Sequence, residues 1–215
     1  VGYLADYLPY CDKAEDGSAT GLVSDIVPDL FDALPGDYDP EIIYRCFDDQ
    51  QEMLDCLKNG EVDFVMPVSD GKWYAEQEGF VQSSAVVVFP IALVYREPYD
   101  NEVTSRIAVN QNNLRQYWYT LANYPDAEIV MYDGIEACID AVNSGEADSS
   151  LLSALRVSQL LSGEKKLNII TLLDSEKLCF GVAAGNKALL QILNHGLSIL
   201  GESYGLNHTY RYLDT

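Results

Sequence analysis

Catalysis and metal binding need clustered thiols, imidazoles or positioned carboxylates, and this chain offers few of them in working patterns. Its five cysteines are Cys11, Cys46, Cys56, Cys138 and Cys179, and its two histidines are His195 and His208. No two cysteines form a C-x-x-C pair. A structural metal needs clustered thiolates or imidazoles, so the sequence predicts none. An odd count rules out a fully paired disulfide framework. One bridge, Cys46 with Cys56 or Cys11, is one reading; buried small apolar thiols, the usual state of unpaired cysteine, is the other. No nucleophile elbow, phosphate loop or metal-ligand spacing occurs. General acid–base chemistry needs a positioned acid or base. The candidates Asp48, Glu61 and Asp63 instead fall on repeated positions that read as structural. The sequence therefore points to a binding protein rather than an enzyme, with no cofactor.

The elements that carry these residues follow from composition and pattern. Lys plus Arg number 13 and Asp plus Glu number 34, a net charge of −21. Such a polyanion repels phosphate backbones and anionic lipid heads, so neither nucleic-acid binding nor direct membrane binding is expected. A hydrophobic share of 48% in 215 residues fits a globular chain of two lobes of about 100 residues. No apolar run approaches the ~18 residues of a membrane span. Val1 opens a strand-like run, so a leader or anchor is expected to lie outside this stretch.

Strand-like and helix-period segments alternate. Val1–Leu4, Glu41–Phe47 and Val62–Val68 read as strands. Asp25–Leu34 and Asp49–Lys58 read as helices, with Pro28 tolerated only near its helix's first turn. Further on, Arg106–Asn110, Glu128–Tyr132 and Leu167–Leu172 read as strands, and Asn113–Leu121 and Lys187–Leu200 as helices. This is an α/β fold with mostly parallel sheets flanked by helices.

An internal repeat sharpens that reading. Residues 48–63 (DDQQEMLDCLKNGEVD) align without a gap on residues 133–148 (DGIEACIDAVNSGEAD), at an offset of 85. Asp48, Asp55, Gly60, Glu61 and Asp63 match Asp133, Asp140, Gly145, Glu146 and Asp148. Leu54 and Leu57 match Ile139 and Val142, so the apolar stripe is kept. Each copy reads as strand, helix, glycine turn, strand, with the glycine suited to a left-handed helix C-cap. Two similar lobes are expected: residues 1–90 with 183–215, and residues 91–182. The apolar segments Ala85–Tyr95 and Lys177–Ala184 are placed as the two crossovers between them.

With these features in order, the chain resembles the bacterial extracellular solute-binding proteins of the polar amino acid type (family 3), whose two-lobed type II periplasmic-binding fold is called a Venus flytrap. VGYLADYLPY is similar to the family's first strand and pocket loop. DGSATGLVSDIVPDLFDAL resembles its "DG…TG…D" turn and first helix, through Asp16, Gly17, Thr20, Gly21 and Asp25. LKNGEVDFVMPVS, RIAVNQNN and SGEADSSLLS resemble later strands and loops. The resemblance implies a ligand site at Tyr7, Ser69, Asn112 and Asn113, with Asn112 and Asn113 at a loop and helix start that usually read Gly-Thr. It also implies two departures. Where amino acid binders carry an arginine five residues after the serine, this chain has Tyr74. Where they carry an acid for the α-amino group, it has Ser153. Lys72 replaces the arginine only as a point charge. An aromatic, hydrogen-bonding site of Tyr7, Tyr10, Trp73 and Tyr74 is expected instead, and Asp6 lies in the same loop.

The resemblance implies a small-molecule ligand and one of two duties. The first is a ligand-sensing domain of a transmembrane signalling protein, a histidine kinase or diguanylate cyclase, placed outside the cytoplasm. The loss of the ionic anchors favours it, and a transmembrane segment is expected soon after YRYLDT. The second is the soluble receptor of an ABC importer, with a permease as partner.

Overall fold

The computed structural model describes residues 1–161 and 167–213. The chain forms two compact units, Val1–Val88 with Lys177–Thr215, and Phe89–Glu176. It passes from one to the other inside two long strands, β6 (Phe80–Tyr95) and β10 (Asn168–Ala183). The second of these joins two segments that read separately in the sequence, Leu167–Leu172 and Lys177–Ala184.

Unit 1 is built on three parallel strands in the order β4-β1-β5, with β1 at Gly2–Leu4, β4 at Arg45–Phe47 and β5 at Phe64–Ser69. The end of β10 runs antiparallel to β5, with Leu178 opposite Ser69 and Val182 opposite Phe64. A small ribbon, β2 (Asp12–Lys13) and β3 (Ala19–Thr20), precedes helix α1 (Leu22–Ala33). Helices α2 (Gln50–Lys58), α3 (Lys72–Glu78) and α7 (Lys187–Leu200) complete the unit with α8 (Tyr204–Thr209). A 3-10 turn at Tyr210–Tyr212 follows, and the last two residues, Asp214 and Thr215, lie outside the described residues.

Unit 2 repeats the plan. Its parallel strands are β7 (Arg106–Asn110), β8 (Glu128–Tyr132) and β9 (Ser149–Ser153), in the order β8-β7-β9. The end of β6 runs antiparallel to β9, with Ile91 opposite Ser153. Helices α4 (Leu114–Asn123), α5 (Ile135–Ser144) and α6 (Ala154–Leu160) connect the strands.

The sequence repeat is also a repeat of register. Gly2 lies opposite Arg45 and Val65, and Ala108 lies opposite Val130 and Ser150. Both partners move by 85 positions, from 45 to 130 and from 65 to 150. Helix α2 buries Met53, Leu54, Cys56 and Leu57, and α5 buries Cys138, Ile139, Ala141 and Val142, the same four positions 85 residues on. The glycine turns match too, with φ of 77° at Gly60 and 86° at Gly145, the left-handed region that L side chains resist.

Two expectations need correction. Helix α1 starts at Leu22 rather than Asp25, so Pro28 is its seventh residue and not part of the first turn. The earlier start is possible because Leu22 and Val23 donate to the Pro9 and Tyr10 carbonyls at 3.0 and 2.9 Å, satisfying N–H groups that a helix start leaves open. Gly21 makes the approach: its φ is 90°, and a Cβ there would stand 2.8 Å from the Tyr10 backbone carbon. The second correction concerns the thiols. No disulfide joins any of the five cysteines, Cys46, Cys56 and Cys11 included; four are buried and Cys46 is half-buried. The bridged reading is set aside for the buried-thiol one.

Helix α7 packs back on α1. A Cβ on Gly196 would come within 2.4 Å of the Leu30 side chain, so glycine sets this close crossing. The C-terminal turn is tied to the same helix. Tyr212 donates to Asp25 Oδ1 at 2.9 Å, Arg211 lies 3.5 Å from Asp25 Oδ2, and Tyr204 donates to Asp29.

Candidate functional site

In open α/β sheets, ligands sit beyond the carboxyl ends of the parallel strands, where helix starts and loops present backbone and side-chain groups. Each unit has such an end, and the residues singled out in the sequence fall there.

In unit 1 the loop after β1 is held in one shape by its own backbone. Ala5 donates to the Phe47 carbonyl at 2.8 Å, Tyr7 donates to Cys11 at 3.0 Å, and Tyr10 and Cys11 donate back to Tyr7 at 2.9 and 3.1 Å. Asp6 is the one non-glycine residue with positive φ (54°) among the described residues, and its N–H is held by Asp12 Oδ1 at 2.9 Å. The Tyr7 and Tyr10 rings lie 5.9 Å apart. Tyr7 is half-buried, whereas Tyr10 belongs to the core.

The end of β5 carries Ser69, which is buried. Gln82 on β6 donates to the carbonyls of Ser69 and Gly71 at 3.0 and 2.8 Å, pinning the turn into α3. Trp73, in the first turn of α3, is 55% exposed. Lys72 points away into solvent and pairs with Glu76 at 3.8 Å. Tyr74 faces inward, edge-on to Phe80 at 5.4 Å. Its hydroxyl is buried without a hydrogen-bond partner, and burial first, then Glu78, pushes its ionisation well above the ordinary phenol range. A guanidinium held where the Tyr74 ring lies would be costly to bury.

In unit 2 the corresponding loop follows β7. Asn110 is buried, and its side-chain oxygen accepts from the N–H groups of Asn112 (3.0 Å) and Gly134 (3.2 Å). Asn113 caps α4 by accepting from the Gln116 N–H at 3.1 Å. In an ordinary capping box the residue at the Gln116 position would reach back to the cap. Here the buried Gln116 side chain turns into the sheet. Its oxygen accepts from the Asn110 N–H at 2.8 Å, and its nitrogen donates to the Leu151 carbonyl and, at 3.4 Å, to Ser150 Oγ. Asn112 is exposed and donates to Asp133 at 3.1 Å. Ser153, at the end of β9, is buried with its hydroxyl lacking a hydrogen-bond partner.

Within unit 1, then, Tyr7 and Tyr10 share one loop, and Ser69, Trp73 and Tyr74 share one turn and helix start. Within unit 2, Asn112 and Asn113 share a loop, and Ser153 ends a neighbouring strand. None of the eight is charged. Sequence reasoning missed Gln82, Asn110 and Gln116, which hold the two loops. The spacing Asn113-x-x-Gln116 was a usable capping signal; Gln82 had none.

No family model matches the chain. Among curated proteins, the virulence sensor protein BvgS of Bordetella pertussis is 28% identical over 173 residues, covering 76% of this chain and 14% of BvgS. BvgS of Bordetella bronchiseptica is 26% identical over 172 residues, with the same coverage. The chain thus spans a small part of the curated relatives it matches. Among solved structures, the periplasmic VFT2 domain of Bordetella pertussis BvgS aligns over 99% of this chain and 92% of that one, with a TM-score of 0.79 and 20% identity. The fold is a Venus flytrap. The ancestral amino acid-binding protein AncCDT-1, a precursor of cyclohexadienyl dehydratase, aligns at a TM-score of 0.74 and 16% identity over 99% and 93% of the two chains. A histidine kinase sensor domain with similarity to periplasmic binding proteins aligns at 0.73 and 17%, over 93% and 88%. The flytraps named here are thus sensor and binding domains.

Proposed function

We propose that this chain is the ligand-sensing domain of a transmembrane signalling receptor of the histidine kinase type, held outside the cytoplasm. The observation that carries this reading is the likeness to BvgS, which extends through 76% of the chain in sequence. It is supported by the shape shared with a BvgS periplasmic domain and with a histidine kinase sensor domain. The ligand is a small, mostly uncharged molecule. Unit 1 offers it Tyr7, Ser69 and Trp73, and unit 2 offers it Asn112, Asn113 and Ser153. Tyr10 and Tyr74 back these residues from beneath. Ligand favours the conformation that binds it best, and this shift of population is the signal.

A thermal-shift screen over amino acids, short peptides, sugars and organic acids tests the binding claim. A ligand at 100 times its Kd adds about 2.7 kcal/mol of stability. Tyr7→Ala and Asn112→Ala are expected to remove that gain while leaving the empty protein's midpoint nearly unchanged. A hit that both variants retain in full, or the absence of any hit, counts against the site.

A second reading, the receptor of an ABC importer, draws on a structure from work on glutathione import through GshT and the cystine ABC importer TcyBC of Streptococcus mutans, which aligns at a TM-score of 0.74 and 17% identity. The gene separates the two. A hydrophobic stretch of ~20 residues after this segment fits the sensor, and a lipid-attachment cysteine before it fits the importer.

A further inference from the structure

In the sheet order β4-β1-β5-β10-β6, strand β6 stands on the far side of β10 from β1 and β5, whose ends lead to Tyr7 and Ser69. A concavity of about 660 Å³ opens there, bounded by the Ser84–Val88 stretch of β6, by Lys177 on β10 and by the end of α7. All of its lining belongs to unit 1, and it shares no residue with the site proposed above. That size lies within the range of small-molecule sites. Its floor is apolar: Val87 and Leu197 are buried, and Val88 is left 42% exposed. The walls are tied to one another. The Ser84 N–H donates to the Asn194 side chain of α7 at 2.7 Å, and the Phe180 N–H of β10 donates to Ser83 Oγ at 2.9 Å. The concavity is therefore preformed.

Its lining carries one charge of each sign, Lys177 on β10 and Glu202 just past α7. Both are exposed, and neither has an ion pair or a side-chain hydrogen bond among the described residues. Glu202 does not act alone. Helix α7 runs for 14 residues and ends beside it, and no basic side chain stands in its last turn. A helix leaves its last carbonyls without intrahelical donors, and that end carries a partial negative charge that a cation stabilises. The concavity thus has a positive wall at Lys177, a negative wall at the end of α7 and an apolar floor.

We infer that this concavity is a second ligand site and that it takes an elongated zwitterion. The carboxylate of the occupant meets Lys177, its ammonium meets Glu202 and the carbonyl end of α7, and its apolar chain lies on Val87, Val88 and Leu197. Charge complementarity at two points chooses the occupant. A molecule charged at one end only leaves one wall unmatched.

The experiment uses matched probes of three lengths: 4-aminobutanoate, 6-aminohexanoate and 8-aminooctanoate, each beside the alkylammonium ion and the alkanoate of the same length. They are titrated into the isotopically labelled chain at physiological salt and followed by NMR. At one length or more, the amino acid is expected to shift resonances of Val87, Val88, Leu197 and Ser198. Its Kd should lie about threefold or more below that of either single-ended probe, the gain an exposed ion pair can supply. The chain's net charge of −21 by itself favours the alkylammonium ion, which makes that comparison the stringent one. Lys177→Gln is expected to bring the amino acid's affinity down to the alkylammonium's, and Glu202→Gln to bring it down to the alkanoate's. Both positions are exposed, so the thermal midpoint should hold in each variant. Tyr7→Ala and Asn112→Ala are expected to leave the shifts unchanged. Amino acids that bind no tighter than the alkylammonium ions at every length, shifts confined to other residues, or a preference that survives either charge substitution overturns the proposal. Because these substitutions spare Tyr7 and Asn112, failure here leaves the sensor reading standing, and the converse holds.

Discussion

Replacing Gln116 by methionine tests whether the unit 2 loop is held from below. The side chain is 6% exposed, and methionine keeps nearly its volume, so packing changes little. What is lost is polar pairing. The Asn110 N–H loses its acceptor at 2.8 Å, and the Leu151 carbonyl loses a donor. A buried group left unsatisfied costs about 1–3 kcal/mol, so losing partners for two puts the expected destabilisation near 3 kcal/mol. In a chain of this size about 1 kcal/mol moves the thermal midpoint by 2–4 °C, so a drop of about 6–12 °C follows. The local readout is amide exchange. Asn110 and the loop through Asn113 should exchange at least tenfold faster, and any ligand affinity resting on Asn112 should fall with it. Leu121→Ala, an exposed change on the same helix, serves as control and should move stability by less than about 0.5 kcal/mol. If Gln116→Met unfolds with the control and the Asn110 amide keeps its protection, the loop is held by something else and the reasoning fails.

Four further outcomes are expected. Gly21→Ala forces a Cβ against the Tyr10 backbone at a positive φ; it should cost about 3 kcal/mol or more and expose the loop after β1 to limited proteolysis. Tyr74→Phe removes a buried hydroxyl without a partner and should leave stability equal or up to about 1 kcal/mol higher, whereas Tyr74→Ala empties a packed position and should cost about 3–5 kcal/mol in chemical denaturation. Burial pushes the Cys138 thiol and the Tyr44 phenol up to about 12. Both lose a proton more readily in the unfolded chain, so their contribution is intact below about pH 9 and stability falls as pH rises from there toward 12; urea midpoints flat from pH 8 to 10.5 would contradict this. Calorimetry with the standard amino acids should show no micromolar binding, because neither Tyr74 nor Ser153 supplies the ionic anchor such ligands use.

Much of the architecture could be read from residue order because the repeat kept both its glycine turns and its apolar stripe. The offset of 85 predicted which helix positions would be buried in unit 2 once those of unit 1 were known, and it also held for strand pairing. Boundaries were less legible where tertiary contacts set them. The start of α1 depends on carbonyls of Pro9 and Tyr10, more than ten residues upstream, which no local pattern around Asp25 reveals. Helix α3 was hidden because Lys72–Glu78 has mixed polarity and glycines on both sides, at Gly71 and Gly79. At the candidate site, residue types were visible but their direction was not. Trp73 and Tyr74 are neighbours in sequence, yet one is mostly exposed and the other buried, a difference fixed by packing against Phe80.

The interrupted connectivity of unit 1 has a consequence for biosynthesis. Unit 2 is one unbroken stretch, Phe89–Glu176, and can close its core before the rest of the chain is available. Unit 1 has to wait. Strand β5 lacks its antiparallel neighbour, and α1 lacks the face of α7, until residues near 178–197 are made. For that interval about ninety nascent residues carry an unfinished core, which makes this half the natural client for a chaperone and the later half a scaffold already in place when its partner completes itself.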